Sequence, residues 1–164
     1  MTEKKETRVL SFIEKKIHFS IILSNKKIDA ITITLSDKNK NKIIPPEYNY
    51  IYQQFYNYLY HGKWNFNLPL NWEKLTSFQL KVYKETMKVK PGRVASYGEI
   101  AKRIGGTKYS RAVGIALSRN PFPIVIPCHR IVPSSFNRNK IGGFSSGVEL
   151  KRVLLLIENP DIFA

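Results

Sequence analysis

The residue pattern of the chain changes at the segment "WNFNLPLNW", residues 64–72, and this change most constrains the fold. Before the segment the chain is rich in β-branched runs, whereas behind it apolar residues recur at helical spacing. The segment itself holds a proline and is extended in character, as is typical of a linker. A chain of 164 residues fits one domain or two small domains that share an interface. We therefore expect two domains, at residues 1–73 and 74–164.

The first domain is predicted to be rich in β-structure. Residues 17–23 and 28–37 are β-branched runs separated by "SNKK", which predicts a hairpin. In the second run isoleucine and leucine alternate with threonine, so one face of that strand is expected to be buried. Residues 45–63 begin at a proline break and then follow the spacing of an amphipathic helix, whose tyrosines are expected in the core and at interfaces.

Two capping-box spacings mark helix starts in the second domain. Thr76 with Gln79 opens one helix, and Ser96 with Glu99 opens a shorter one that ends at "GGT". A third helix is predicted from about Ser110 until "NP" stops it. The apolar stripe of the first of these helices is predicted at Phe78, Val82 and Met87.

Helix, glycine-containing turn and helix form the pattern of a helix-turn-helix motif, in which the second helix is presented to DNA. The second helix here is "SRAVGIALSRN". Its expected buried face holds Val113, Ala116 and Leu117. Its expected outer face, which has two small residues that permit close approach to a duplex, holds Arg111, Gly114 and Ser118. The alternative is an ordinary core helix with solvated arginines.

Net charge favours a polyanionic partner. The chain has 27 basic and 12 acidic residues, a formal charge of +15, which points to nucleic acid first and to an anionic membrane second. The alternative is a lysine-rich surface that reflects only a biased genome. No stretch approaches the roughly 20 apolar residues of a membrane span, and "MTEKKETRVLSFIEKK" lacks a signal-peptide run. We expect a cytoplasmic monomer.

Cys128 in "VIPCHRIV" is the only cysteine, which excludes an intrachain disulfide and a multi-cysteine zinc site. A thiol attacks as a thiolate and needs a base to form it at neutral pH. His129 is adjacent, but consecutive side chains of an extended segment point to opposite sides, so we expect proton transfer through water. Of the nearby acids Glu149 and Glu158, the latter is expected to orient the imidazole. It follows an apolar stripe predicted at Val153, Leu154 and Ile157.

Each member of this set has a plainer interpretation. A lone cysteine is usually a small buried hydrophobic residue, a lone histidine is usually structural, and a glutamate at a helix end is usually solvated. The residues alone therefore leave both a cysteine–histidine enzyme and a structural cysteine open.

Four segments taken together resemble a known family: "GRVASYGEIAKRIGG", "SRAVGIALSRNP", "IPCHRIV" and "GGFSSGVELKRVLLLIE". They are similar to the O6-alkylguanine-DNA alkyltransferases, also called methylated-DNA–protein-cysteine methyltransferases. The resemblance is dense over roughly residues 75–158 and weak through "YHGKWNFNLPL". It implies an α/β (α+β) fold, with a ribonuclease-H-like domain at residues 1–73 and a winged-helix domain at residues 74–164.

The resemblance also implies the reaction. A methyl or other alkyl group passes irreversibly from O6 of guanine in double-stranded DNA to the protein's own Cys128, once per molecule and without a cofactor. O4 of thymine is left open as a second position. The zinc ligands of some relatives have no counterpart cysteines here, so no metal is expected.

Matched by position, the resemblance assigns a role to each residue of the catalytic set. Cys128 is the acceptor, His129 is the water-mediated base and Glu158 is its partner. Tyr97 helps to rotate the nucleotide and donates to the leaving guanine, and Asn120 links the recognition helix to the active-site loop. Arg111 fills the stack in place of the extruded base. The further DNA contacts implied are Ser96, Ala112, Gly114, Ser118, Arg130 and Ser145.

Three other functions are considered beside this one. A non-catalytic lesion binder, as in the alkyltransferase-like proteins, lacks the cysteine that this chain has. A winged-helix regulator would use Cys128 as a redox sensor or as filler. A cysteine–histidine hydrolase would need an oxyanion loop, for which the sequence has no signature.

Overall fold

The computed structural model describes residues 6–38 and 43–164. The chain divides into two compact units, residues 1–73 and residues 74–164, which are described separately. In the described ranges no helix is both long and apolar enough to cross a membrane.

The first unit is built on an antiparallel sheet of three strands. The strands are β1 (Thr7–Glu14), β2 (Ile17–Ser24) and β3 (Lys27–Leu35), in the order β1-β2-β3. The predicted hairpin is therefore formed by β2 and β3, whereas the sequence pattern did not predict β1. The alternation along β3 buries Ile31 and Ile33 as expected, but Leu35 at the end of the strand is 46% exposed.

One helix, α1 (Asn49–His61), contributes to the core of the first unit. Its Phe55 ring lies 5.1 Å from Phe19, which stacks at 4.6 Å on Phe12 of the neighbouring strand. Of its tyrosines Tyr58 is buried as predicted, whereas Tyr50 and Tyr60 are 45% and 42% exposed. The helix ends where Gly62 adopts a left-handed conformation, with φ at 64°.

The second unit contains α2 (Ser77–Met87), α3 (Tyr97–Ile104), α4 (Ser110–Ser118) and α5 (Val148–Glu158). Both predicted capping boxes are formed, and the predicted buried face of α4, with Val113, Ala116 and Leu117, is confirmed. The predicted stripe of α2 is wrong at Met87, which is 37% exposed. The face that α2 buries instead holds Val82, Tyr83 and Thr86. The helix is turned this way because the Tyr83 hydroxyl points inward and donates to the carbonyl of Ala116 at 2.8 Å.

The last helix is also rotated from its predicted stripe. Only Leu154 of the three predicted residues is fully buried, while Val153 and Ile157 are half-buried. The residues that α5 buries are Leu150, Lys151, Leu154 and Leu155.

Two short parallel strands determine which parts of the second unit meet. They are β4 (Ala95–Ser96) and β5 (Ile131–Val132). The strand β4 runs directly into α3, whose first residue is Tyr97, whereas β5 follows directly on the turn Cys128–Arg130. Because the two strands are parallel, the start of α3 lies beside the C-terminal end of β5, which the cysteine turn precedes by only two residues.

The two-residue turn between β2 and β3 offers a test of local strain. Asn25 and Lys26 both have positive φ, 50° and 63°, as a type I′ turn requires, and glycine is favoured at the second position. Lys26→Gly should raise the free energy of unfolding by about 1 kcal/mol, measured by urea denaturation. Lys26→Ala removes the same charge but keeps the β-carbon, so it should give no such gain. Equal gains in both variants would contradict the strain explanation.

Candidate active site

Asn120, just beyond the end of α4, ties that helix to the buried segment that carries the cysteine. Its Oδ1 accepts from the Phe122 amide at 2.9 Å, and its Nδ2 donates to the Ile126 carbonyl at 2.9 Å. The same Nδ2 donates to Cys128 Sγ at 3.1 Å. The structure thus places Asn120 between helix and loop, where the resemblance puts it.

The loop between Asn120 and Cys128 is held in a strained form. Ile124, a β-branched residue, has φ at 74° and is 1% exposed. Such a residue avoids the left-handed region, so the surrounding contacts must impose this conformation. The Ile126 amide donates to the Phe122 carbonyl at 2.8 Å across it, and Asn120 holds both ends. Sequence reasoning missed Ile124, because no glycine or asparagine marks the position.

Cys128 begins a short 3₁₀ turn, Cys128–Arg130, and is 6% exposed. The side chains of Cys128 and His129 were expected to point to opposite sides because the segment was taken as extended. In a 3₁₀ turn consecutive side chains instead differ in direction by about 120°. His129 is fully buried, and its Nε2 lies 2.8 Å from Glu158 Oε1. The structure therefore brings His129 and Glu158 together.

Arg130 occupies a different place from the one predicted. It is 1% exposed, its guanidinium donates to both Glu158 oxygens at 2.8–3.2 Å, and its Nη1 donates to the Val89 carbonyl at 2.6 Å. The prediction that Arg130 contacts DNA is wrong, because a buried guanidinium bonded to a carboxylate and a carbonyl cannot reach a phosphate. The Gly92 amide also donates to Glu158, at 3.2 Å.

Burial and these contacts set the charge state of the site. Burial raises the pKa of Glu158, but His129 and Arg130 outweigh it and hold that pKa well below its usual range. Burial lowers the pKa of His129 more than Glu158 raises it. Burial raises the pKa of Cys128, against the bond from Asn120 and the charge of Lys151. At neutral pH the site therefore holds a carboxylate, a neutral imidazole and a thiol.

Lys151 is a buried group that sequence reasoning missed. It is 0% exposed, and its Nζ donates to the carbonyls of Ile131 and Gly143 at 2.7 and 3.2 Å. Burial lowers its pKa to about 8, with the Cys128 charge acting in the opposite direction. The signal was its position seven residues before Glu158, which puts both side chains on one face of α5.

Cys128 opens into a pocket of about 310 Å³. Of the predicted residues, the pocket brings Tyr97, Gly114, Ser118 and Ser145 to the cysteine. A β-carbon at Gly114 would lie 3.9 Å from the Tyr97 ring, so helix and ring meet closely there. Burial raises the pKa of Tyr97 above its ordinary value, which keeps it a hydroxyl. The rest of the wall is Leu117, Gly143 and Phe144.

Besides Arg130, three of the predicted DNA-contact residues do not line this pocket. Arg111 is exposed on the first turn of α4. Ala112 lines a separate groove of about 220 Å³ with Ile115 and Arg119. Ser96 caps α3, where its Oγ accepts from the Glu99 amide at 3.1 Å. In the described part of the chain no three His, Cys, Asp or Glu side chains are grouped to hold a metal ion.

The second unit combines a helix-turn-helix, formed by α3 and α4, with a buried cysteine, and the histidine next to that cysteine bonds a carboxylate. This combination is the one expected of a DNA-binding domain that holds a candidate reactive cysteine. Residues 77–160, half of the chain, match the family described as 6-O-methylguanine DNA methyltransferase, DNA binding domain. The chain belongs to this family, and the resemblance found in the sequence is confirmed.

Two curated relatives are methylated-DNA–protein-cysteine methyltransferases. That of Metallosphaera sedula is 52% identical over 82 residues, which are 50% of this chain and 49% of the relative. That of Saccharolobus solfataricus is 46% identical over 98 residues, 60% of each chain. The chain thus spans about half to three fifths of the length of these curated relatives.

Solved structures extend the likeness to nearly the whole chain. The O6-methylguanine methyltransferase of Mycobacterium tuberculosis has a TM-score of 0.76 at 25% identity and covers 94% of each chain. The O6-methylguanine-DNA methyltransferase of Pyrococcus kodakaraensis KOD1 has a TM-score of 0.73 at 29% identity, covering 94% of this chain and 99% of that one. The OGT of Mycobacterium tuberculosis in complex with DNA has a TM-score of 0.75 at 28% identity, covering 91% of both. The predicted mixed α/β fold class is confirmed.

The lowered pKa of Glu158 predicts a pH-dependent stability. A carboxyl whose pKa is lowered on folding contributes stability that is present above its unfolded pKa of about 4.3 and is lost as pH falls below it. Glu158→Gln should therefore lower the free energy of unfolding by about 3 kcal/mol at pH 7. The difference from the unsubstituted chain should shrink below pH of about 4.3. Urea titrations from pH 7 to pH 3 measure both.

The matched control is Glu149→Gln, on the same helix. The Glu149 side chain is 72% exposed, so its loss should change stability at pH 7 by no more than about 0.5 kcal/mol. A Glu158 difference that stays constant down to pH 3 would show that the folded state does not favour the carboxylate.

Proposed function

We propose that this chain repairs alkylated double-stranded DNA by moving a methyl or other alkyl group from O6 of guanine to Cys128. One observation carries the proposal: the buried Cys128 thiol, tethered by Asn120, opens into a pocket bordered by Gly114 and Ser118 of the second helix of the helix-turn-helix. The names of the curated relatives and of the similar structures support it. In this proposal residues 1–73 form a ribonuclease-H-like domain, and residues 74–164 form a winged-helix domain that binds DNA and accepts the alkyl group.

The distribution of charge supports DNA as the partner. Residues 74–164 carry 16 basic and five acidic residues, whereas residues 1–73 carry 11 and seven. Most of the positive excess, 11 of 15 charges, therefore lies in the unit that holds the cysteine. Basic side chains bind phosphates without regard to sequence and in a salt-dependent way, as a protein that searches for lesions requires.

The substrate base must leave the helix stack to react. An alkyl carbon within a stacked base has no open path for in-line attack, so the nucleotide is extruded at a cost of a few kcal/mol. The exposed Arg111, on the first turn of α4, can occupy the gap that the base leaves. Tyr97 and Ser145 line the pocket that receives the base. Ser96 and Ala112, outside that pocket, are proposed to contact the DNA backbone.

The chemical step needs only groups of this chain and the substrate. Cys128 Sγ forms a bond to the alkyl carbon while the bond from that carbon to O6 breaks. The thiol proton passes through water to His129, entering at Nδ1 because Nε2 bonds Glu158. Glu158 stabilises the imidazolium, and the Tyr97 hydroxyl donates to the leaving guanine. No electrons are exchanged with a third component, so no cofactor is required.

The product explains why the protein acts once. A thioether has no easy hydrolysis, and besides Cys128 the pocket lining offers only the hydroxyls of Tyr97, Ser118 and Ser145, which are weak nucleophiles when protonated. We further propose that the chain works as a monomer in the cytoplasm, where a free thiol stays reduced.

The proposal predicts a covalent change at Cys128. Incubation with duplex DNA that contains O6-methylguanine should place one methyl group on the Cys128 peptide and restore guanine, as read by mass spectrometry. Cys128→Ala should abolish the transfer but keep DNA binding. An unmodified Cys128 on bound DNA would refute alkyl transfer. Retained binding to one operator-like sequence alone would instead indicate a regulator.

The face of α4 that carries the small residues Gly114 and Ser118 gives a second test. Gly114→Ala places a methyl group 3.9 Å from the Tyr97 ring, an ordinary contact, so the fold should be stabilised by up to about 1 kcal/mol. The same methyl group enters the pocket mouth and should slow transfer at least about tenfold. Single-turnover rates and thermal unfolding measure the two effects.

Gly98→Ala is the matched control. Its added methyl group would meet only Ser96 Oγ at 3.8 Å and Ser110 Oγ at 3.9 Å, and it lies outside the pocket lining. This variant should leave the transfer rate unchanged. Equal slowing by both substitutions would mean that the mouth of the pocket does not receive the base.

A further inference from the structure

One wall of the Cys128 pocket is a segment without helix or strand, residues 142–147, which we call the pocket loop. It supplies Gly143, Phe144 and Ser145 to the pocket. Its first and last residues, Gly142 and Gly147, have φ values of 80° and 99°, which glycine adopts readily. A segment of this kind holds one shape only if outside contacts hold it.

Lys151 supplies such a contact. Its Nζ donates to the Gly143 carbonyl of the pocket loop at 3.2 Å and to the Ile131 carbonyl at 2.7 Å. Ile131 follows directly on the turn Cys128–Arg130. One ammonium group therefore connects the loop side of the pocket to its cysteine side.

A lysine at position 151 lowers stability relative to an apolar residue, because its charge is buried. The side chain is 0% exposed among Leu150, Leu154 and Leu155 on the buried face of α5. Burying an ammonium is costly, whereas methionine or leucine would pack there without desolvating a charge. A hydrocarbon side chain, however, cannot bridge two carbonyls. The bridge is the property that lysine adds, and charge-assisted bonds are stronger than neutral ones.

We propose that Lys151 is a positioning residue, which fixes the pocket loop at the distance from Cys128 at which the alkylated base is held in line with the sulfur. The inference rests on the proposed function. Without the bridge the loop can move away from the cysteine, and a displacement of about 1 Å at a reacting centre can cost about a hundredfold in rate.

The experiment compares Lys151→Met, which removes the bridge and keeps a side chain of similar length, with Lys140→Met. Lys140 is exposed in the same unit, so its loss removes an equal charge without touching the pocket. Three quantities are measured: the single-turnover rate of methyl transfer at saturating DNA, the Kd for DNA, and the rate at which iodoacetamide alkylates Cys128. The last reaction needs the thiol but no base recognition.

For Lys151→Met the transfer rate should fall at least about tenfold, and the Kd should change less than about twofold. The iodoacetamide rate should fall much less than the transfer rate, even though loss of the Lys151 charge raises the pKa of Cys128. Lys140→Met should leave the transfer rate and the thiol reactivity unchanged. A parallel fall of transfer and iodoacetamide reactivity would overturn the proposal, because Lys151 would then act on the thiol itself. An unchanged transfer rate would overturn it as well.

Hydrogen exchange separates this proposal from the proposed function. The Gly147 amide donates to the Phe144 carbonyl at 3.0 Å within the loop, and its exchange should be at least about tenfold faster in Lys151→Met if the bridge holds the loop. Unchanged exchange overturns the bridge whether or not the protein transfers methyl groups. Absence of transfer in the unsubstituted chain refutes the function alone. If Lys151→Met does not fold, Lys151→Leu, which also lacks a donor, is judged by the same outcomes.

Discussion

The rest of the site depends on the hydrogen bonds that the buried Glu158 carboxylate makes. In one buried position it bonds the His129 ring and accepts from the Arg130 guanidinium and the Gly92 amide. Arg130 extends the network to the carbonyl of Val89. A single ionised group therefore joins three segments: helix α5, the residues that follow α2 in the chain, and the cysteine turn. Because the same carboxylate neutralises Arg130 and bonds the His129 ring, stability and the proposed proton transfer depend on it together.

A second constraint acts from the other side of the cysteine. Asn120 holds the loop that leads to Cys128 in a form that Ile124 would not adopt alone. The thiol is thus placed by two contact systems, one anchored on the end of α4 and the other on the end of α5. Since α4 also supplies Gly114 and Ser118 to the pocket, the proposed DNA-facing surface and the nucleophile share one rigid support.

The parts of this arrangement that follow from local chemistry could be predicted from the sequence. Both capping boxes and the buried face of α4 depend on residues a few positions apart. The pairing of His129 with Glu158, 29 residues apart, was predicted from the need of an imidazole base for an acidic partner. Helix rotation could not be predicted, because the Tyr83 bond to Ala116 and the burial of Lys151 join distant segments. Arg130 was misassigned because nothing in the sequence indicates that the carboxylate predicted to bond His129 also binds the neighbouring guanidinium. The catalytic and DNA-contact roles of the individual residues stay predictions.

The resting state of the Cys128 thiol has a consequence for the proposed reaction, in which each protein molecule is used once. Burial holds Cys128 protonated and His129 neutral, so small electrophiles meet a thiol that is a weak nucleophile. In the proposed reaction the thiolate forms only as the proton moves towards His129, whose cation Glu158 stabilises. A base seated in the pocket excludes water and brings the alkyl carbon to the sulfur at that moment. A cysteine with a strongly lowered pKa would react faster with the substrate but also with other electrophiles. Because the proposed reaction consumes the thiol, a thiol protected from such side reactions serves the protein better than an activated one.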